Sequence, residues 1–386
     1  MSSLLSDTKA LLAKLVSFDT ISAKTNIPCA EFVRDYLAAQ GVEAKLLPSD
    51  DGIHANLFAT IGPPGDGGIA FSGHMDVVPV AGQPWDTNPF EMVEKDGRLY
   101  GRGTCDMKGY LACVLALVPE MKNRGLKRPL HVVFSYDEEV GCTGVKPMIA
   151  EFGKTLPMPG IVLVGEPTLM TVVDAHKGGY RFRTEVTGQA AHSSKPQLGA
   201  SAIFAAADLA MELRRIEERL KARQINPRFD PPYSSISVGS ITGGVAHNII
   251  PPHCEMNWGV RALPGLDIPA LVKEFDDYAQ KHVLPPMRAV SDDCAIVTTP
   301  TGVLPAFSSG ENSEATSLVL NLMGQNETLA VAYGTEASHF QAAGASSVVC
   351  GPGSIDQAHQ ANEFVATSEL ERCLMYLGRV IDTASA

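Results

Sequence analysis

Five residues of this chain can ligate a metal ion, and four of them share one kind of sequence context. Gly73-His74-Met75-Asp76 closes the apolar run Ile69-Ala70-Phe71, which reads as a buried strand. Leu130-His131-Val132-Val133-Phe134 leads into Asp137-Glu138-Glu139, and Ile161-Val162-Leu163-Val164 leads into Gly165-Glu166-Pro167. Ser347-Val348-Val349-Cys350 precedes a Gly/Pro turn and then His359. In open α/β sheets the carboxyl ends of strands are where ligands bind. The fifth residue, Asp106, follows Gly101-Arg102-Gly103-Thr104-Cys105 and stands just before an apolar helix. The helix dipole there favours an ionised carboxylate, the form that binds metals.

His74, Asp106, Glu139, Glu166 and His359 are all nitrogen or oxygen donors, with no thiolate among them. That set suits Zn²⁺, and also Co²⁺ or Mn²⁺. Two ions ~3.5–4 Å apart can share a bridging carboxylate and a bridging water, and such a water ionises near pH ~7. Two further acids stand beside the ligands. Asp76 is placed to accept the ring N–H of His74, which fixes its tautomer. Glu138, next to Glu139, is the candidate general base that later returns the proton to a leaving amine. Any one of these residues alone reads as structural. Their coincidence at the ends of apolar runs points to a metal-dependent hydrolase. No H-E-x-x-H, G-x-S-x-G or Walker A motif competes with that reading.

The elements that must position these groups follow from periodicity. Ser6 can cap a first helix whose buried face is Leu11, Leu12, Leu15 and Val16. A second helix is expected over 29–40, strands over 42–47 and 56–61, and one long apolar helix over 107–124. After Glu166 the pattern changes. Residues 180–188 alternate like a half-exposed antiparallel strand. Residues 200–223 form an amphipathic helix, expected to lie on a small sheet, and strands over 235–241 and 255–262 precede a helix over 268–282. This is a small α+β insertion. The βα pattern returns with a helix over 314–323, a strand over 345–350 and a closing helix over 368–381. The expected organisation is a catalytic domain, 1–178 and 291–386, interrupted by an inserted domain, 179–290.

With 386 residues, 45% hydrophobic and 19% charged, the chain is an ordinary globular protein. A net charge of −12 without a Lys/Arg-rich block argues against nucleic acid as a partner. No stretch approaches the ~20 apolar residues of a membrane span. The eight cysteines are scattered with no C-x-x-C pair, so the expected location is a reducing cytoplasm.

Taken together the motifs resemble the dinuclear-zinc aminoacylase/carboxypeptidase (M20-type) family of metallopeptidases. The resemblance covers nearly the whole chain. It rests on Ser17-Phe18-Asp19-Thr20, Gly73-His74-Met75-Asp76-Val77-Val78-Pro79, Tyr100-Gly101-Arg102-Gly103, Asp106-Met107-Lys108-Gly109, Asp137-Glu138-Glu139, Gly165-Glu166-Pro167-Thr168 and Ala358-His359-Gln360. It implies a mixed-sheet, zinc-exopeptidase-like catalytic domain with an inserted lid that also forms a homodimer interface. It implies two divalent metal ions, one on His74, Asp106 and Glu166, the other on Asp106, Glu139 and His359. It further implies that Asp76 orients His74, that Glu138 is the general base, and that a cis peptide follows Asp106. Ala191-His192-Ser193 matches the family's lid histidine, which reaches toward the oxyanion, often from the partner subunit.

An N-acyl amino acid carries a carboxylate into this acidic site and needs a cationic anchor. Arg261 is the candidate, since a guanidinium can hold a carboxylate bidentately. Asn248 can add a hydrogen bond. In related succinyl-diaminopimelate desuccinylases the segment matching Tyr333-Gly334-Thr335-Glu336-Ala337 carries an Arg, whereas here it carries Glu336. The expectation is that Glu336 holds a substrate ammonium, which makes N2-acetyl-L-ornithine the expected substrate. Another N-acyl amino acid, a succinylated diamino acid or a dipeptide remains an alternative, as does a non-catalytic, metal-stabilised binding protein.

Overall fold

The computed structural model describes residues 2–310 and 313–386. In chain order its elements are α1 (Ser2–Val16), α2 (Ile27–Ala39), β1 (Ala44–Pro48), β2 (Ala55–Ile61), β3 (Ile69–His74), β4 (Val93–Lys95), β5 (Arg98–Tyr100), α3 (Lys108–Ala116), α4 (Val118–Asn123), β6 (Leu130–Ser135), α5 (Val145–Ile149), β7 (Ile161–Pro167) and β8 (Val173–His176). There follow β9 (Gly178–Thr187), α6 (Ala202–Arg223), β10 (Ser235–Gly243), β11 (His253–Ala262), α7 (Ile268–Tyr278), α8 (Leu284–Arg288) and β12 (Ala295–Leu304). The chain closes with β13 (Phe307–Ser308), α9 (Glu314–Met323), β14 (Leu329–Val331), α10 (Ala337–Ala342), β15 (Ser346–Gly351), β16 (Phe364–Ala366) and α11 (Thr367–Ser385). Two compact units result. The larger holds residues 1–175, 307–329 and 335–386, and the smaller holds 176–306 and 330–334.

The larger unit is built on a mixed sheet of order β1-β2-β6-β3-β7-β15-β8-β13. At its centre β6, β3, β7 and β15 run parallel, with His74 opposite Ser135 and Ser347 opposite Val162. The four apolar runs therefore end at one edge of one sheet. β3, β6 and β7 are buried at every position, as parallel strands covered on both faces should be. Lys108 through Ala116 are all buried as well, because α3 is enclosed by β3 and β7 and by α1 and α11. The single helix expected over 107–124 is two, divided at Leu117, with Pro119 in the first turn of α4. Proline has no N–H to continue the first helix and is tolerated at the start of the next. The cis peptide falls between Asp106 and Met107.

The smaller unit is an antiparallel sheet, β10-β11-β9-β12, with α6 and α7 packed on it. Its core joins Leu209, Leu213 and Ile216 of α6 to Phe182, Met256 and Trp258 of the sheet and Phe275 of α7. Ser201 and Asp267 cap α6 and α7 through their side-chain oxygens. The sequence gives little sign of β12, and the chain re-enters the larger unit at Phe307 rather than near 291. This strand contains Pro300 and shifts register between Pro300 and Gly302, features that an edge strand tolerates. Among the described residues no helix is long and apolar enough to cross a membrane, and the cysteines are buried free thiols.

Close packing beneath the strand ends depends on glycine. A Cβ on Gly73 would lie 2.7 Å from both Leu111 and Met107 side-chain carbons. One on Gly165 would lie 2.1 Å from the Tyr110 ring, whose hydroxyl donates to the Leu163 carbonyl at 3.2 Å. Gly165→Ala is therefore expected to destabilise the protein by about 1–3 kcal/mol, the usual cost of overpacking a core. Thermal melting checks this, and an unchanged midpoint would contradict the packing described.

Candidate metal centre

His74 ends β3 and is fully buried. Its Nδ1–H donates to the main-chain carbonyl of Asp76 at 2.9 Å. A carbonyl can only accept, so in the neutral ring Nε2 carries the lone pair. That lone pair faces Asp106 Oδ1 at 3.0 Å. Two acceptors at this distance need a proton or a metal ion between them. Asp106 presents its other oxygen, Oδ2, to His359 Nε2 at 3.3 Å, and the same nitrogen lies 3.0 Å from Glu139 Oε2. Glu166, ending β7, places Oε1 3.8 Å from His74 Nε2. One carboxylate thus stands between two imidazoles, with a further carboxylate beside each.

The donor set fits divalent cations. Glu139 Oε1 and Glu166 Oε1 are buried and find no hydrogen-bond partner among the described residues, an expensive condition for a carboxylate. Ligand atoms of His74, Asp106 and Glu139 lie within 4.8 Å of one another, as do those of His74, Glu138 and Glu166. Without a cation, burial and the adjacent Asp106 push the Glu139 carboxyl up to about 7. Burial, with Asp106 and Glu138 close by, raises Glu166 well above the carboxylate range. His74 is raised well above its ordinary value: burial opposes this, but its bonds to Asp106 and Asp76 prevail. Bonds to Asp106 and Glu139 raise His359 to about 10. Against its burial, Asp106 is held below the usual range by the two imidazoles.

The acids around this set have distinct tasks. The Asp76 carboxylate stands 3.5 Å from His74 Nδ1, beside the shorter contact of that nitrogen to the Asp76 carbonyl. Its oxygens also accept from Ser22 Oγ at 2.7 Å and from the N–H groups of Glu138 and Glu139 at 3.1 and 3.3 Å. Asp76 therefore ties the Glu138–Glu139 turn to β3. Glu138 Oε1 accepts from the Cys142 thiol at 2.9 Å. Burial, then repulsion from Glu139, raises the Glu138 carboxyl well above its ordinary value.

Glu336 is buried near the same strand ends. It is 1% exposed, immediately before α10, and its carboxylate accepts from Ser72 Oγ at 3.4 Å and from Ser135. It is enclosed against β3 and β6. In the smaller unit, His192 is exposed and pairs with Ile249, and the Ser193 N–H donates to the Asn248 carbonyl at 2.9 Å. His192 Nδ1 accepts from the Ser194 N–H at 3.1 Å, which leaves Nε2 as the protonated, donating nitrogen of the neutral ring. Arg261 is exposed on β11, between Gly179 and Ser235.

Sequence reasoning missed Ser22, Gln83, Arg102 and Glu363. The available hints were an arginine between two glycines just before Asp106 and an acid four residues after His359.

The sequence profile of Peptidase family M20/M25/M40 matches residues 70–383. An acetylornithine deacetylase of Myxococcus xanthus is 35% identical over 390 residues, covering 99% of this chain and 98% of its own length. The aminopeptidase PepT of Bacillus cereus superposes with a TM-score of 0.75 at 19% identity, over 99% of both chains. A dinuclear metal binding peptidase from the M20 family of Bacillus subtilis does so with a TM-score of 0.68 at 14% identity, over 99% of this chain and 98% of its own.

The proton affinities above predict how the metal-free protein responds to pH. Glu139 and both histidines bind protons more tightly folded than unfolded. Their stabilising contribution is complete below about pH 4.5 for the carboxyl and about 6.5 for the imidazoles. It is lost as pH rises, through about 7 for Glu139 and about 10 for His359. The melting midpoint in excess chelator should fall between pH 5 and 9, and Zn²⁺ should raise it more at pH 9 than at pH 5. A zinc-induced rise no larger at pH 9 would contradict this electrostatic account.

Proposed function

The chain belongs to Peptidase family M20/M25/M40 and is a metal-dependent hydrolase, and we propose that it cleaves N2-acetyl-L-ornithine to L-ornithine and acetate. The observation that carries the chemistry is the Asp106 carboxylate facing two imidazoles, with Glu139 and Glu166 alongside. The acetyl and ornithine moieties are supported by the relative from Myxococcus xanthus, which matches over almost its full length.

In this reading His74, Asp106 and Glu166 hold one divalent ion and Asp106, Glu139 and His359 hold the other, with zinc the best fit to the ligand set and cobalt or manganese acceptable. The bound ions supply Lewis acidity toward the amide carbonyl and lower the pKa of water. Glu138 takes a proton as the water oxygen adds to the acetyl carbon and delivers it to the ornithine nitrogen as the C–N bond breaks. Cys142 holds the Glu138 carboxylate in place for both transfers. His192, in a homodimer His192 of the partner subunit, donates its Nε2–H to the carbonyl oxygen as charge develops there. Arg261 pairs with the substrate α-carboxylate, and Asn248 adds a hydrogen bond. The partner molecule is thus a small N-acyl amino acid.

An amine-release assay on the zinc- or cobalt-loaded protein tests the substrate. N-acetyl-L-ornithine should be turned over faster than N-acetyl-L-methionine, N-succinyl-diaminopimelate or a dipeptide, and excess chelator should abolish turnover. A stronger preference for any of the other three would discard the ornithine reading. Glu138→Ala should bind the same quantity of metal as the wild type and lose roughly 10²–10⁴-fold in kcat. Near-normal turnover in that variant would remove Glu138 from the proton path.

A further inference from the structure

Glu363 is a buried acid that the reaction does not use. It is 1% exposed, as is Arg102, and Arg102 Nη1 donates to its Oε2 at 2.7 Å. The Gly103 N–H donates to the same oxygen at 3.0 Å. The N–H groups of Cys105 and Asp106 donate to Oε1 at 2.8 and 3.0 Å. Each carboxylate oxygen therefore receives two donors, and one of the four is the main chain of Asp106 itself.

The other end of this network reaches His359. Arg102 Nη1 also donates to the Gln360 carbonyl at 3.3 Å, and Nη2 donates to Gln83 Oε1 at 2.5 Å. The amide of Gln83 then donates to the His359 carbonyl at 2.8 Å. Trp85 braces this arm: its indole N–H donates to Gln83 Oε1 at 3.0 Å, and its ring lies 5.1 Å from the Arg102 guanidinium carbon. The loop so held needs holding. His359 and Asn362 have φ of +62° and +58°, in the left-handed region that few non-glycine residues occupy. Sequence distance adds to the constraint, since Arg102 and Glu363 are 261 residues apart.

We propose that Glu363, through Arg102 and Gln83, is the positioning residue that fixes His359 relative to Asp106 and so sets the affinity of the cation position they share with Glu139. The inference rests on the reading of these three as ligands. His74 and Glu166 sit on the ends of β3 and β7, held by the sheet itself. His359 has no such strand, and the Glu363–Arg102–Gln83 chain supplies the missing constraint. Metal-ligand supports of this kind change affinity about 10–100-fold when removed.

The test uses full-length protein stripped of metal, titrated with Zn²⁺ against a chromophoric chelator, for wild type, Glu363→Gln and Gln83→Leu. A glutamine at 363 turns an NH₂ group onto donors that now meet an oxygen. Wild type should bind two ions per chain. Both variants should bind one ion with unchanged affinity and the other about 10–100-fold more weakly, with Glu363→Gln the more severe. If Glu363→Gln fails to fold, Gln83→Leu decides, since Gln83 lies half-buried on a loop and its side chain joins Arg102 and Trp85 to the His359 carbonyl. Wild-type affinity for both ions in the folded variants, with only a lowered melting temperature, would overturn the proposal and leave the network a structural prop. Equal weakening of both ions would also overturn it. A wild type that binds fewer than two ions would instead fail the ligand reading on which the proposal stands.

Discussion

Everything around the centre follows from one carboxylate that two imidazoles share. Asp106 turns Oδ1 to His74 and Oδ2 to His359, and Glu138, Glu139 and Glu166 crowd the same volume. Acids gathered this closely and buried cannot all be ionised without positive charge among them. Protons would satisfy the cluster at low pH. At neutral pH the compatible solution is a metal cation, which ionised carboxylates and neutral imidazoles bind in preference to protons. The orphaned oxygens of Glu139 and Glu166 mark where that charge belongs.

The fold meets this demand by using different supports for different candidate ligands. β3 and β7 are neighbouring parallel strands, so His74 and Glu166 arrive together as a consequence of sheet register. The Glu138–Glu139 turn follows β6 and is fastened to β3 by the Asp76 carboxylate, which accepts both of its N–H groups. Asp106 comes just before α3, a helix whose close approach to the sheet depends on Gly73 and Gly165. His359 lies on a loop beyond β15 with an unfavourable φ, and it is bound back through side chains rather than strands. The buried pair Arg102–Glu363 is therefore part of the geometry of the centre, although neither residue touches a ligand side chain.

Local pattern made part of this architecture readable in advance. Apolar runs that end in His, Glu or Asp announce buried strands and the groups at their ends, and β3, β6, β7 and β15 place those groups along one sheet edge. The amphipathic stripe of α6 likewise announced a helix on a sheet. What was hidden depends on contacts made far along the chain. Glu336 sits in a loop-like segment by sequence, yet it is enclosed by Ser72 and Ser135, some 264 residues from Ser72. Arg102 and Glu363 are too far apart in sequence to be read as a pair until the fold brings them together. Asp76 stands beside His74, and its carboxylate also takes two amide donors that local spacing does not reveal. β12 escaped because Pro300 and a register shift interrupt its alternation. The break at Leu117 was written in Pro119, which the strong apolar pattern on either side outweighed.

The measurement that tests the central claim most directly is anomalous scattering at the zinc edge from crystals of the zinc-loaded protein. The account predicts two peaks per chain, one among His74, Asp106 and Glu166 and one among Asp106, Glu139 and His359, with Asp106 contributing an oxygen to each. A single peak, or zinc bound away from Asp106, would contradict it.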